Sequence, residues 1–215
     1  MEERSIIRYT RSSRIFHWLH SLAFVVLLLT GLVRFLDHSP SEGLWAIGLI
    51  HRAAAVLFVV LPLLYNFIWP KRVAEFIKTI FKGSKSDLQW LKAAPSYYFG
   101  GVEEKMPPQG QINPGQRYWE ITVVITGIVF VVSGIMLWFF KFLLPISVYQ
   151  WALVIHAIVF IIVFIFFLLH VYLGVFHPRF KESFHSMLDG RISRQYAKRH
   201  YLKWFQGIGI KTKEK

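Results

Sequence analysis

The sequence predicts an all-α integral membrane protein: a bundle of four transmembrane helices with a short interfacial helix in one connecting loop. Three observations carry this. Hydrophobic residues make up 54% of the 215 residues, an excess that points away from an ordinary soluble domain. They gather in four runs, each about 20 residues or longer, the length that crosses a hydrocarbon core roughly 30 Å thick. The basic residues behind the formal net charge of +13 largely avoid two of the three connections between those runs.

Taken in order, the N-terminal stretch to Arg14 is basic, and the first span follows over Ile15–Leu36. No small-residue cleavage site follows that run, so it reads as a retained helix and not as a signal peptide. Asp37–Trp45 is a short connection with two acids and neither Lys nor Arg; its His38 is expected to be solvated. The second span is Ala46–Trp69, closed by Pro70. Lys71–Gln116 is a long basic loop. Within it Val73, Phe76, Ile77, Ile80 and Phe81 recur at helical spacing with lysines between them, the pattern of an amphipathic helix lying in the interface. Gly83–Ser86 ends that helix, and Gly100–Gly115 reads as irregular loop. The third span is Arg117–Phe140, followed by a turn over Lys141–Ser147 that contains Pro145. The fourth is Val148–Phe176, which carries no charged residue. The tail from His177 to Lys215 is basic, with Arg194, Lys198 and Arg199 on an expected helix. Its Trp204 and Phe205 read as anchors at a lipid surface, with docking on a partner as the alternative. One membrane domain is expected over residues 1–215.

The positive-inside rule places both termini and the long loop in the cytoplasm, and four spans satisfy that parity. A bilayer, in the bacterial cytoplasmic (inner) membrane, explains the positive charge without nucleic acid. There is no cysteine, so the chain supplies no disulfide, no iron–sulfur cluster and no thiolate zinc site.

Histidine is costly in hydrocarbon, which makes a His inside a span a functional candidate. The fourth span holds two, His156 and His170, 14 positions apart. That separation is about 40° short of four full turns and rises roughly 21 Å, so both rings leave one face, one near each membrane surface. Given the topology, His51 in the second span is level with His156 on the outer side, and His17 in the first is level with His170 on the inner side. One such His alone is as well explained by a proton relay or a packing residue. Four at two matched depths suit two haems b, each held by two imidazoles. That ligation closes the iron and favours electron transfer over oxygen chemistry. His20, one turn from His17 and about 60° round the helix, is the alternative inner ligand. His177, His185 and His200 read as surface residues. Arg34 and Arg52 at the outer level, and Arg14 at the inner, are candidates for haem propionates, with snorkelling to the interface as the competing reading.

At these residues the sequence resembles the cytochrome b (gamma) subunit of membrane-bound formate dehydrogenases of the formate dehydrogenase-N type. The likeness rests on RxxHW at Arg14–Trp18, LIH at Leu49–His51, NPGQ at Asn113–Gln116, VIH at Val154–His156, LLHVY at Leu168–Tyr172 and MLDGRISRQYAKRH at Met187–His200. It implies four spans and two haems b, with His51 and His156 on the outer iron and His17, in place of His20, with His170 on the inner. It also implies a quinone, menaquinone or ubiquinone, bound at Asn113 and Gly115, where Pro114 departs from the family's usual Ala. By the same resemblance, electrons pass from an iron–sulfur subunit through the outer and inner haem to the quinone pool. Formate oxidation belongs to a separate molybdenum- or tungsten-containing subunit. The b-type subunit of an uptake [NiFe] hydrogenase is the nearest alternative. A haem-free anchor or proton-translocating subunit is an alternative of another class.

Overall fold

A computed structural model describes residues 5–37, 42–100 and 106–213 of the chain. His38 lies outside the described residues. Among the described residues, four helices are long and apolar enough to cross a membrane: α1 (Arg11–Leu36), α2 (Glu42–Ile68), α5 (Pro114–Phe139) and α6 (Ile146–Val171), the last extended by a wide π turn over Tyr172–Phe176. In the most apolar stretch of each, only 6–11% is buried by protein. The remaining apolar surface needs a second apolar partner, and lipid provides it. The protein is therefore a multi-pass membrane protein.

The helix starts differ from the apolar runs for a local reason. Thr10 accepts a hydrogen bond from the Ser13 amide at 3.3 Å, so α1 begins at Arg11 and its polar first turn precedes the hydrophobic stretch. Glu42 opens α2, a placement the helix dipole favours. Between α2 and α5 the described residues form two helices. The first is α3 (Pro70–Phe81), begun by a proline whose missing N–H costs nothing there, with Ile80 buried on its apolar side. The second, α4 (Lys85–Tyr98), was not foreseen. The stretch read as a breaker supplies its cap: Ser84 makes a reciprocal capping box with Asp87 in the first turn of α4. Past α6 come a short 3₁₀ turn at Pro178–Phe180, then α7 (Lys181–Asp189), α8 (Arg194–His200) and α9 (Leu202–Lys213). Two short strands, β1 (Ser5–Ile7) and β2 (Arg191–Ser193), pair antiparallel, with Ser5 opposite Ser193.

The chain divides into two compact units. The first comprises Met1–Arg14, Phe76–Ile121 and His170–Lys215; the second, Ile15–Glu75 and Thr122–Leu169, contains most of the four spans.

The first unit is knit by polar contacts. Ile192, Ala197 and Tyr201 form its core, with Ile6, Tyr196, Trp204 and Phe205 packed against them. The tail aromatics thus pack against a folded core while staying half-buried. Arg8 is buried, stands 4.0 Å over the Tyr201 ring and donates to Ser183 Oγ at 3.0 Å. Gly190 ends α7 with φ +88°, and its carbonyl accepts from the Arg8 and Tyr9 amides. A Cβ there would lie 2.7 Å from the Tyr9 carbonyl oxygen, so the glycine of the MLDGRIS segment is dictated by both conformation and space. Ser193 caps α8 by accepting from the Tyr196 amide. His177 and His200 are buried here, at 5% and 7% exposure, which corrects the surface reading of both; His185 is exposed as expected.

The second unit is held by rings and small residues. Phe24 packs on Phe58 and Phe167, and Phe35 on Phe160; Ala23, Ala54, Ala152 and Val163 are buried between helices.

Candidate functional site

Within the spanning unit, α2 and α6 bring His51 and His156 together. Their ring centres are 6.5 Å apart, with an interplanar angle of 58°. Both are half-buried. Each is held from the helix that precedes its own: Thr30 Oγ1 on α1 lies 2.8 Å from His51 Nδ1, and Ser133 Oγ on α5 lies 2.8 Å from His156 Nδ1. The direction of these bonds follows from the hydroxyls. Thr30 donates its only proton to the Val26 carbonyl at 2.6 Å, and Ser133 donates to Val129 at 2.6 Å. Each hydroxyl oxygen therefore accepts from Nδ1–H, and the lone pair of each imidazole resides on Nε2.

That donor set fits a shared iron. Two imidazoles bound to one metal through Nε2 have ring centres roughly 6 Å apart, from about 2 Å of metal–nitrogen bond and about 1 Å of ring on each side. Small residues border both rings: a Cβ on Gly31 would come within 3.6 Å of His51 Cε1, and one on Gly134 within 3.9 Å of His156 Cε1. Sequence reading missed Thr30 and Ser133. The signal is the repeated hydroxyl–glycine dipeptide, Thr30-Gly31 in one span and Ser133-Gly134 in another.

Near the same end of α2, Arg34 and Arg52 converge on Gly48. Arg34 Nη1 would be 3.0 Å from a Cβ at that position, and Arg52 Nε donates to the Gly48 carbonyl at 3.1 Å. Arg52 also lies 5.6 Å from the centre of the Trp138 ring.

The other candidates fall in different units. His17 belongs to the spanning unit, meets Trp18 edge-on at 5.1 Å, and has a buried Nδ1 without a hydrogen-bond partner. His20 is stacked between Phe16 and Phe58, at 5.3 and 4.3 Å. His170 belongs to the first unit, where the Trp119 indole stacks on it at 4.6 Å and 14°. The π turn begins two residues after it, a helix irregularity that favours functional positions. Arg14 donates to the Leu188 carbonyl, which ties it to the first unit. Glu120 is a single acid near the start of α5, half-buried beside Trp119; the sequence reading passed over it.

Asn113 and Gly115 also lie in the first unit. Asn113 is buried and caps α5: its Oδ1 accepts from the Gln116 amide at 2.8 Å, while Gln116 Oε1 accepts from the Asn113 amide at 3.0 Å. This leaves the Nδ2 protons for another acceptor. The close approach that Gly115 permits is to Trp90, whose Cη2 would be 2.6 Å from an added Cβ.

A membrane bundle with facing imidazoles on two of its spans defines the class of membrane-embedded b-type cytochromes. Comparison with known proteins narrows this. Residues 8–190 match the model of the prokaryotic cytochrome b561 family, and the chain belongs to that family. Haem b binding follows from membership. The chain is 26% identical over 215 residues to the cytochrome b556(Fdn) subunit of the nitrate-inducible formate dehydrogenase of Escherichia coli K12, covering 96% of this chain and 93% of that protein. It is 24% identical to the cytochrome b556(fdo) subunit of formate dehydrogenase from the same organism, over 98% and 97% of the two chains. It is also 24% identical to a formate dehydrogenase cytochrome b556 subunit of Haemophilus influenzae, over 94% and 82%. The resemblance first seen in the motifs therefore extends over nearly the whole chain.

Proposed function

We propose that this chain is the dihaem membrane anchor of a formate dehydrogenase complex and links an iron–sulfur subunit to the quinone pool. The observation that carries the proposal is the His51/His156 pair, whose Nδ1 atoms are both engaged by hydroxyls and whose ring centres, 6.5 Å apart, have the spacing of two imidazoles on a shared iron. The motif resemblance at Arg14–Trp18 and Leu168–Tyr172 supports His17 and His170 as the ligands of a second haem b. When bound, haem b supplies a one-electron couple with both axial positions filled. Arg34 and Arg52 offer their guanidinium groups to propionates at the His51 level. The formate-oxidising molybdenum or tungsten site lies on a separate subunit; the names of the relatives support a formate dehydrogenase complex as the partner. The charge pattern supports a bacterial cytoplasmic membrane with both termini and the long loop inside.

Pyridine haemochrome measured against protein concentration, on the chain purified in detergent, tests the core of this reading. Two haems per chain are expected; one would remove a ligand pair, and none would end the cytochrome reading. Copurification with a molybdenum- or tungsten-containing subunit supports the formate assignment, and copurification with a nickel subunit overturns it.

Quinone is the acceptor, menaquinone or ubiquinone, and Asn113 donates to its carbonyl through Nδ2. Asn113→Asp keeps a capping oxygen and removes that donor, so both haems and the α5 cap survive. Losing a hydrogen bond of about 1–3 kcal/mol slows reoxidation of the haems by quinone roughly tenfold to a hundredfold. Stopped-flow reoxidation of the haem α-band, after reduction of the whole complex by formate, reads this directly. Wild-type rates would move the quinone site elsewhere.

A further inference from the structure

The two hydroxyls at the His51/His156 level repeat each other in detail. Each donates to the carbonyl four residues back, at 2.6 Å in both cases, and reaches the carbonyl three residues back, Leu27 at 3.2 Å for Thr30 and Phe130 at 3.4 Å for Ser133. Each is followed by a glycine that faces the same imidazole's Cε1. In both halves the hydroxyl stands on the span before the histidine: α1 serves α2, and α5 serves α6. One such contact is a common way to satisfy a polar ring in a bundle. Two with the same donor direction, on the two rings that face each other, form a device.

We infer that Thr30 and Ser133 are positioning residues for the iron at this level, which fix the Nδ1–H tautomer, aim Nε2 at the metal and set how easily the iron is reduced. The inference rests on His51 and His156 being its ligands. Because each hydroxyl proton is committed to a backbone carbonyl, the oxygen can only accept from the imidazole. An imidazole that donates from Nδ1 is a more basic ligand through Nε2, and a more basic ligand favours ferric over ferrous iron. Water does not replace the lost acceptor in hydrocarbon, so removing the hydroxyl weakens the ligand; the effect is larger at His156 than at His51, whose ring keeps the Leu27 carbonyl as a second acceptor.

Thr30→Val and Ser133→Ala remove the acceptor with little change in volume; Thr30→Ser and Ser133→Thr retain it. Each variant is purified in detergent, its haem content measured, and its haems titrated by spectroelectrochemistry, with low-temperature electron paramagnetic resonance of the ferric signals. The expected result is a rise in the midpoint potential of one haem in Thr30→Val and in Ser133→Ala, with the other haem unmoved and both hydroxyl-retaining variants at wild type. A tenfold loss of ferric preference corresponds to about 59 mV for a one-electron couple. Loss of that haem in Thr30→Val, restored by Thr30→Ser, supports the same conclusion. Retention of both haems by His51→Ala overturns the ligand reading and this inference with it. Loss of one haem in His51→Ala, together with unchanged potentials in Thr30→Val and Ser133→Ala, overturns the inference alone.

Discussion

His51 and His177 are both removed from water, and His177 more completely, yet their ring nitrogens are used in opposite ways. In the spanning unit, His51 and His156 each spend Nδ1 on a hydroxyl and keep the Nε2 lone pair. In the other unit, His177 spends both nitrogens: Nε2 donates to the Tyr98 carbonyl at 3.1 Å, and Nδ1 accepts from the Arg179 amide at 3.3 Å. Burial by itself therefore does not distinguish the two histidines; the accounting of nitrogen lone pairs does. The contrast extends to the units. Polar groups are few in the spanning unit, where lipid is the solvent and each one is costly. In the other unit they are the scaffold, with Arg8, Asp87, Ser183 and Gly190 all engaged in holding chain segments far apart in sequence.

The largest expected effect separates the two kinds of histidine. His51→Ala or His156→Ala should remove one haem entirely and leave the second, since the proposed ligand pairs share no residue. His177→Ala should leave both haems while loosening the fold around Tyr98. Reduced-minus-oxidised spectra and haem content distinguish the outcomes, and haem loss in His177→Ala alone would collapse the distinction.

Next in size is a backbone effect confined to the polar unit. Gly190→Ala combines a disfavoured φ, costing about 1–3 kcal/mol, with overpacking against the Tyr9 carbonyl at about 1–3 kcal/mol. Gly83, which has open space around it, should tolerate Ala with little change. Thermal unfolding of the detergent-solubilised protein, followed by limited proteolysis, measures both. Equal melting temperatures in the two variants would show that the β1–Gly190 junction contributes nothing to stability.

The smallest effect tests the ion pair of the same unit. Arg117 Nη2 donates to Asp87 Oδ2 at 2.5 Å, with both side chains about nine-tenths buried. Burial raises the Asp87 carboxyl, but the Arg117 hydrogen bond and the Ser84 amide outweigh it and hold the group below its ordinary value. The stabilisation is thus complete above about pH 4 and is lost as pH falls through the depressed folded value. Asp87→Asn should cost about 1.5–3 kcal/mol at neutral pH, with the gap to wild type closing in acid. A gap independent of pH between neutrality and pH 3 would assign the loss to the capping box and not to the charge.

How much of this could be read along the chain depends on how local each feature is. The four spans were legible because apolar length and charge are sums over one contiguous segment, and lipid rewards them before any tertiary contact forms. The four span histidines stood out for the same reason, as polar residues in runs that lack them. Thr30 and Ser133 did not, because a hydroxyl in a helix satisfies itself on its own backbone and looks neutral until a ring from another span arrives. Helix α4 and the β1–β2 pairing were hidden differently. The first begins in residues that resemble a breaker, and the second joins Ser5 to Ser193, a pairing that only loop closure across nearly the whole chain reveals. His177 and His200 follow the same rule: polar neighbours in sequence suggested surface, and the fold buried both against Tyr98 and Tyr97. The sequence by itself determined which segments enter the membrane and which residues could hold a metal there. Only the tertiary structure decided which nitrogen of each imidazole remains to bind one, because that is fixed by hydrogen bonds between residues that local pattern does not connect.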